Sequence, residues 1–555
     1  MKNRRNLPSR LCALLLAMAL LCSLGVPQAA AANDAVTWSQ VDNGAVTARL
    51  PLQEAEEEAA PAYRDTDTVR ISIFLEEAPT ISKFDVQDIA ENQAALAYRT
   101  GLETRQEALA QVISTQALGG EQLDVVWNLT LAANIISANV KYGEIAAIEQ
   151  VPGVEQVLIE TQYAPAVVNT NLPDDPNMST SPSMIGSSAA WTAGYTGAGS
   201  RIAVIDTGTD TDHQSFSAAG FDYSLQKQAE QAGKTVADYD LLDVEEITGV
   251  LDQLHVGKSV TAKQLYLNTK LPFGYNYVDK DLDITHDRDQ QGEHGSHVAG
   301  ISTANAYIPN ADGTFSNALD AVKVQGVAPD AQLITMKVFG KAGGAYDSDY
   351  LVAIEDAIVL KCDTVNLSLG SSNPGATRHT KAEYQAILDR LTESGIVVAI
   401  AAGNAGSWVE SARNAGYLYS DDVSMDMVGS PGSYTNSLCV ASMDNAGATG
   451  QYFLVGDTTV VYTQSTGFKN QPMTSIAGEH AYVLIDGFGT EEEFAAIASV
   501  LEGKIAVCSR GTTSFFQKAE AAVANGAIAT IVYNNQPGTI SMDPVSYTHL
   551  TLPTN

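Results

Sequence analysis

Between Gly194 and Asn404 the apolar positions come as short, nearly continuous runs: Ile202 to Ile205, Gln332 to Val338, Thr364 to Leu369 and Gly395 to Ala402. Each run closes on glycine or a polar residue and is followed by a helix-like stretch. Strands that are apolar on both faces are covered by helices on both faces, so this region is expected to form an α/β fold with a doubly wound, mostly parallel sheet. An earlier region has a different texture. Val69 to Leu75 alternates apolar and polar residues, Asp88 to Ser114 has helical periodicity, Leu123 to Ala132 is strand-like, Gly143 to Gln150 is a short helix, and Val154 to Ile159 follows a Pro-Gly break. That β-α-β-α-β order predicts a small α+β domain over about 65–163. A third pattern lies at Glu502 to Arg510 and Ala519 to Asn534, where a strand, an alanine-rich helix and a second strand from Ala527 to Tyr533 follow one another.

Composition narrows the classes. The 555 residues exceed what one core supports, about 250–300 residues, which agrees with several domains. A net charge of −34 leaves no basic face for phosphates and argues against nucleic acid as a partner. Lys2, Arg4, Arg5 and Arg10 precede an apolar stretch from Leu11 to Leu24 and then Ala29 to Ala32, the pattern of a bacterial secretory signal over 1–32. The protein is therefore expected outside the cytoplasm, secreted or at the cell envelope. Cys22 raises lipid attachment, but bulky Leu21 stands where lipid-signal cleavage wants a small residue. Residues 33–64 are polar and acidic, with Gln53 to Glu58 as their densest part, and read as a linker. Cys362, Cys439 and Cys508 are odd in number and dispersed, which suggests buried small hydrophobes and neither a disulfide framework nor a metal site.

Open α/β sheets bind ligands at the carboxyl ends of their strands, which singles out Asp206, Ser368 and Asn404. His294 follows Asp206 by 88 positions, in Gly292-Glu-His294-Gly-Ser-His-Val-Ala-Gly300, where a helix is expected to start. A serine hydroxyl needs a base within hydrogen-bond reach and a third group that fixes the base's tautomer. His294 and Asp206 are candidates for those two roles. Singly each motif is weak; their conjunction is specific. Asp206-Thr-Gly, Asp212-His213, His294 to Gly300, Gly326-Val-Ala-Pro329, Val365 to Gly370 and Ala401-Ala-Gly-Asn404 occur in the order that resembles the subtilase family of serine proteases, over roughly Thr180 to Asn445.

That resemblance implies a serine endopeptidase, with a catalytic domain over 164–445, acting on protein or peptide substrates and requiring no cofactor. Asp206 and His294 match the acid and base of its triad. Asn404 matches the residue whose side-chain amide donates to the developing oxyanion, and Ser368-Leu369-Gly370 and Gly343-Gly344 match the segments that flank a bound peptide. Ile145 to Val157 resembles the end of an inhibitory propeptide, which would make the region 65–163 an intramolecular inhibitor and the protein a zymogen cut between Thr161 and Pro182. An unrelated α+β domain is the alternative. Residues 446–544 resemble a protease-associated domain inserted before the catalytic serine. His297 reads as a packed neighbour of His294 and not as a second base.

The chain departs from small subtilases by a long insertion, about 218–290, whose end, Leu271 to Asp283, resembles cell-envelope proteinases of the lactocepin and C5a-peptidase type. Aspartates 279, 281, 283, 287 and 289 could bind a structural Ca²⁺. They fail the EF-hand pattern, with Ile284 in place of glycine and Gln290 in place of the bidentate glutamate, so a solvated acidic loop is the preferred reading and no metal ligand is assigned. No Gly-Thr-Ser turn of the kind that carries the nucleophile is found in this chain. Ser541, in Gly538-Thr-Ile-Ser-Met-Asp-Pro544, is rejected because Ile540 intervenes and Asp543-Pro544 replaces the small residue from which a helix should continue. Val545 to Asn555 reads unlike what precedes it and resembles a translated sequencing adapter, which would place the nucleophile beyond the natural sequence present here. The rival function is a secreted binding protein with a subtilase fold and no activity. A metal-dependent hydrolase lacks a His-Glu-x-x-His or equivalent cluster.

Overall fold

The computed structural model describes residues 36–37, 49–50, 63–87, 89–163, 181–286, 289, 291–341, 343–370, 382–403, 428–435, 437–443, 451–462, 471–511 and 513–535. It divides into one unit up to Arg64 and a second from Asp65 onward. In the first, Val36–Thr37 pairs antiparallel with Arg49–Leu50. The expected signal segment, 1–32, lies outside the described residues, and everything below concerns the second unit.

Its first layer is a four-stranded antiparallel sheet in the order β2-β3-β1-β4, built from β1 (Thr68–Leu75), β2 (Asp124–Leu129), β3 (Ile135–Lys141) and β4 (Val154–Ile159). Helix α1 (Gln93–Gln116) crosses between β1 and β2; Asn92 caps it by accepting from the amides of Ala94 and Ala95. Ile71, Ile73, Ile113, Ile136 and Ile148 fill the core between sheet and helices. The expected β-α-β-α-β order misses β3, which pairs with both β1 and β2. Ile135-Ile-Ser-Ala-Asn-Val-Lys141 lies beyond the expected strand, which ended at Ala132, and its Ser, Ala and Asn interrupt the apolar pattern.

The larger layer is a six-stranded sheet with every adjacent pair parallel. Along the chain come a two-residue strand β5 (Gln162–Tyr163), β6 (Arg201–Asp206), β7 (Phe273–Asn276), α2 (His294–Thr303), β8 (Gln332–Lys337), β9 (Ala345–Tyr346), α3 (Asp347–Val359), β10 (Thr364–Leu367), α4 (Ala382–Glu393), β11 (Val397–Ala401) and β12 (Leu438–Val440). The sheet order is β12-β11-β10-β6-β8-β7. The α/β expectation holds, and its four apolar runs become β6, β8, β10 and β11. Edge strand β7 arises from the insertion. Edge strand β12 carries Cys439, which is exposed, contrary to the expectation that all three cysteines would be buried; Cys508 is buried and Cys362 partly so. Arg201, at the start of β6, is buried and forks onto both oxygens of Glu246 at 2.7 and 2.8 Å, which fastens the insertion to the sheet.

Beyond β12 come a hairpin, β13 (Gln451–Val455) with β14 (Thr458–Tyr462), and a parallel sheet of β15 (Tyr482–Leu484), β16 (Ile505–Ser509) and β17 (Ala529–Tyr533). Helix α5 (Phe515–Ala524) connects β16 to β17 and opens on Ser514, whose hydroxyl accepts from the Gln517 amide. Phe494, Leu501, Cys508, Ala522 and Val532 form a separate apolar core.

Candidate active site

Asp206 ends β6 at the carboxyl edge of the sheet, buried to 1% exposure. Its Oδ1 receives the Thr207 amide at 2.7 Å and lies 2.8 Å from His294 Nδ1. His294 is the first residue of α2, and the bond to Asp206 raises its pKa against the opposing effect of burial. The geometry leaves Nε2 as the nitrogen available to a substrate or nucleophile.

Backbone packing holds the two residues in register. Gly208 has φ +109°, which only glycine adopts without strain, and a side chain at Gly295 would strike the Gly208 carbonyl. Helix α2 thus approaches the Asp206 loop closely enough for the Gly295 amide to donate to Thr207 Oγ1 at 2.9 Å, while Ser296 Oγ accepts the Asp210 amide at 2.7 Å. Lys337 ends β8 opposite Asp206, donates its ammonium to the Thr207 carbonyl and pairs with Asp289 at 2.7 Å. Both side chains of that pair are almost fully buried, at 1% and 3% exposure.

Asp289 therefore departs from the solvated acidic loop expected of the insertion's end. A lysine buried beside it would carry an uncompensated charge if the carboxylate faced water. The neighbouring aspartates also have partners: Asp279 accepts from Asn276 Nδ2 and the Lys341 amide, and Lys341 Nζ lies 3.2 Å from Asp281 and 3.8 Å from Asp283. Asp287 lies outside the described residues. Among the described residues, no three His, Cys, Asp or Glu side chains gather as a metal site. His297 is exposed on α2, and partial burial, then the nearby His294, lowers its pKa.

Gly343 and Gly344 lead into β9, which pairs antiparallel with β5, Ala345 opposite Tyr163 and Tyr346 opposite Gln162. A Cβ on Gly344 would strike the Tyr163 carbonyl, so the close pairing requires glycine there. The loop before β9 is tied to the histidine segment by Gln291 Nε2, which donates to the Gly340 carbonyl at 2.7 Å. Ser368, Leu369 and Gly370 follow β10, with Leu369 buried and Ser368 Oγ accepting from Asn366 Nδ2 at 3.0 Å. Asn404 and Ser541 lie outside the described residues.

Sequence reasoning missed a ring of acids on α3. Glu355, fully buried, accepts the amides of Thr130, Leu131, Ala132 and Ala133 from the β2-β3 connection. Asp349 accepts from Arg70 and from Trp127 Nε1, and Asp356 from His255 Nδ1 and the Tyr277 hydroxyl. From the other side, Glu160 accepts the hydroxyls of Ser72, Ser137 and Ser348. Burial, then the nearby charge of Asp347, pushes its pKa up to about 7. The insertion joins this grip, since Lys280 lies 4.0 Å over the Trp127 ring and His255 Nε2 faces the Asn128 carbonyl at 3.1 Å. The detectable signal was four acids, Asp347, Asp349, Glu355 and Asp356, inside an otherwise apolar helix.

Residues 197–544 match the model of the subtilase family. The chain belongs to that family. This subtilase is 30% identical over 439 residues to the PI-type proteinase of Lactococcus lactis subsp. cremoris, covering 76% of this chain and 20% of that one. It is 27% identical over 380 residues to the minor extracellular protease Vpr of Bacillus subtilis (strain 168), covering 66% and 35%. A C5a peptidase of Streptococcus pyogenes serotype M3 is 27% identical over 349 residues, covering 61% and 26%. The chain thus spans between a fifth and about a third of the length of these relatives. Among the described residues no helix is long and apolar enough to cross a membrane.

Proposed function

We propose that this subtilase is a secreted or cell-envelope serine endopeptidase made as a zymogen, in which Asp206 and His294 activate a serine carried by polypeptide beyond the described residues. The observation that carries the reading is the 2.8 Å bond between His294 Nδ1 and buried Asp206, which leaves Nε2 to take the proton of a serine hydroxyl. In that step the serine oxygen attacks the peptide carbonyl while His294 accepts its proton. Asp206 holds the tautomer and stabilises the imidazolium, Asn404 donates to the oxyanion, and His294 then returns the proton to the leaving amine. Ser368 to Gly370 and Gly343-Gly344 would line the two sides of the bound peptide.

The region 65–163 is proposed as the inhibitory propeptide. Its support is the β5-β9 pairing, in which the region's last strand lies antiparallel to the segment after Gly343-Gly344, as a substrate backbone would. The maturation cut would then fall between Thr161 and Pro182. The α/β unit within 446–544 is proposed to shape access to the site. No metal is assigned to the reaction.

Autocatalytic maturation of the protein extended through its downstream gene sequence tests the reading. Asp206→Asn or His294→Ala is expected to abolish the cut, with Asp206→Asn slowing it by about four orders of magnitude. Continued maturation of either purified variant would remove these residues from the mechanism. A stop codon directly after Pro544, with no serine downstream, would instead support the non-catalytic binding protein.

A further inference from the structure

Thr207 follows Asp206 directly, and each of its polar groups is held. Its amide donates to Asp206 Oδ1 at 2.7 Å, and its carbonyl accepts from the Lys337 ammonium. Its hydroxyl accepts the Gly295 amide at 2.9 Å and donates to the Gly292 carbonyl at 3.3 Å. Lys337 reaches the Thr207 carbonyl from the end of β8, where it stands opposite Asp206 in the sheet register. The same ammonium lies 2.7 Å from Asp289 Oδ2, and Asp289 Oδ1 accepts the Gln291 amide at 2.9 Å. Gln291 adjoins Gly292, whose carbonyl takes the Thr207 hydroxyl. The bonds thus close a circuit on Thr207 that ties the aspartate's loop to the segment from which the helix of His294 begins.

We infer that Lys337 and Asp289 are positioning residues for the reaction, a buried ion pair that sets the alignment of Asp206 with His294. The inference rests on the proteolytic reading above and goes beyond it by giving the end of the insertion a part in the chemistry. Stability does not account for the pair. All six residues of β8 are buried, and apolar side chains of similar volume commonly match or exceed a buried ion pair in stability. What apolar side chains cannot do is donate to the Thr207 carbonyl and hold the Asp289 carboxylate at the same time. The lysine stem is held in turn, since a Cβ on Gly208 would come within 3.3 Å of Lys337 Cδ. Without the circuit, Asp206 and His294 keep their strand and helix but lose the tie that fixes one against the other, and small misplacements of reacting groups are costly to rate.

The test uses the mature protein, expressed with its downstream gene sequence, and a quenched fluorescent peptide that copies residues 158–182. The double variant Lys337→Met, Asp289→Leu removes both charges at nearly constant volume. It is expected to melt close to the wild-type temperature yet to lose about 10- to 100-fold in kcat, with KM changed by less than about threefold. Wild-type kcat in that folded variant overturns the inference, because a pair that serves the fold alone is replaced by apolar packing without loss of rate. Should the double variant fail to fold, Asp289→Asn, which keeps the shape of the side chain, decides by the same split: a fall in kcat at constant KM supports the inference, and an unchanged kcat overturns it. If the wild-type protein cleaves nothing, the proteolytic reading fails separately, and the alignment is read by NMR of the same variants carrying isotopically labelled histidine. The bond to Asp206 raises the His294 pKa against burial, and His297 is the titratable neighbour on the same helix. A loosened bond moves the His294 Nδ1 proton resonance upfield and lowers that pKa, whereas a resonance and pKa that both stay at their wild-type positions refute the inference.

Discussion

The propeptide-like layer and the α/β unit after β12 differ in how far their cores are shared: Phe74, Trp127, Leu129 and Leu131 of the first join one apolar cluster with Ala203, Ile205 and Ile334 of the parallel sheet, and the second keeps a cluster of its own. The first also meets helix α3 through buried charge: Glu355 takes four amides from the other side, Asp349 takes Arg70 and Trp127, and Glu160 reaches back to Ser348. The second folds around its own apolar cluster of Phe494, Leu501, Cys508, Ala522 and Val532, and its hydrogen bonds include internal ties such as Ile528 N to Lys504 O at 2.9 Å. An interface of buried carboxylates depends on every donor being present and on pH, whereas an apolar core tolerates change on its surroundings.

The largest effect is expected from Glu355→Leu, which strands four buried amides and removes their shared acceptor. It should destabilise the assembled propeptide-like layer by at least about 3 kcal/mol. Urea unfolding followed by Trp127 fluorescence measures this, and a midpoint unchanged from wild type would break the comparison.

The grip should also weaken with rising pH. Glu160 has its pKa raised to about 7 in the assembled state, by burial and then Asp347, so its contribution is fully present below its unperturbed pKa and fades as pH climbs through about 7. His255 acts in the same sense. Burial pulls its pKa down, but Asp356 and then Glu355 more than offset this, and both ring nitrogens face acceptors, so its loss of a proton removes a donor. Between pH 5 and 8 the Glu160 effect is expected to reach about 3 kcal/mol. Limited proteolysis across that range reads it, and Glu160→Gln should flatten the dependence. Tighter retention at pH 8 than at pH 5 would contradict the assignment.

A smaller effect on the chemistry is expected from removing residues 446–544. Loss of a self-contained unit should lower activity on folded proteins more than on short peptides. Equal losses on both would mean that the unit is part of the catalytic machinery.

How far these two regions were legible follows from the same physics. The parallel strands were readable because both faces are buried, so apolar runs announce them, and Asp206 and His294 were readable because their neighbours are short glycine-rich motifs. Helix α1 was placed within a few residues, starting at Gln93 where the pattern suggested Asp88, because Asn92 is the true cap. Strand β3 was missed because Ser137, Ala138 and Asn139 interrupt its apolar pattern. The acid ring of α3 was invisible in a different way: its partners, Arg70, Trp127 and the amides of Thr130 to Ala133, lie more than 200 residues earlier in the chain. The Lys337–Asp289 pair beside the Asp206 loop shares that origin, since only folding brings the end of β8 to the segment before His294.

The central claim is that Asp206 and His294 serve a serine lying beyond the described residues. Fluorophosphonate labelling of the protein expressed with its downstream gene sequence, followed by peptide mapping, tests it most directly, because only an activated serine reacts. The expected result is stoichiometric labelling at one serine beyond Pro544, appearing once the propeptide-like layer is lost and nearly abolished by His294→Ala. Labelling at Ser541, or labelling that survives His294→Ala, would contradict it.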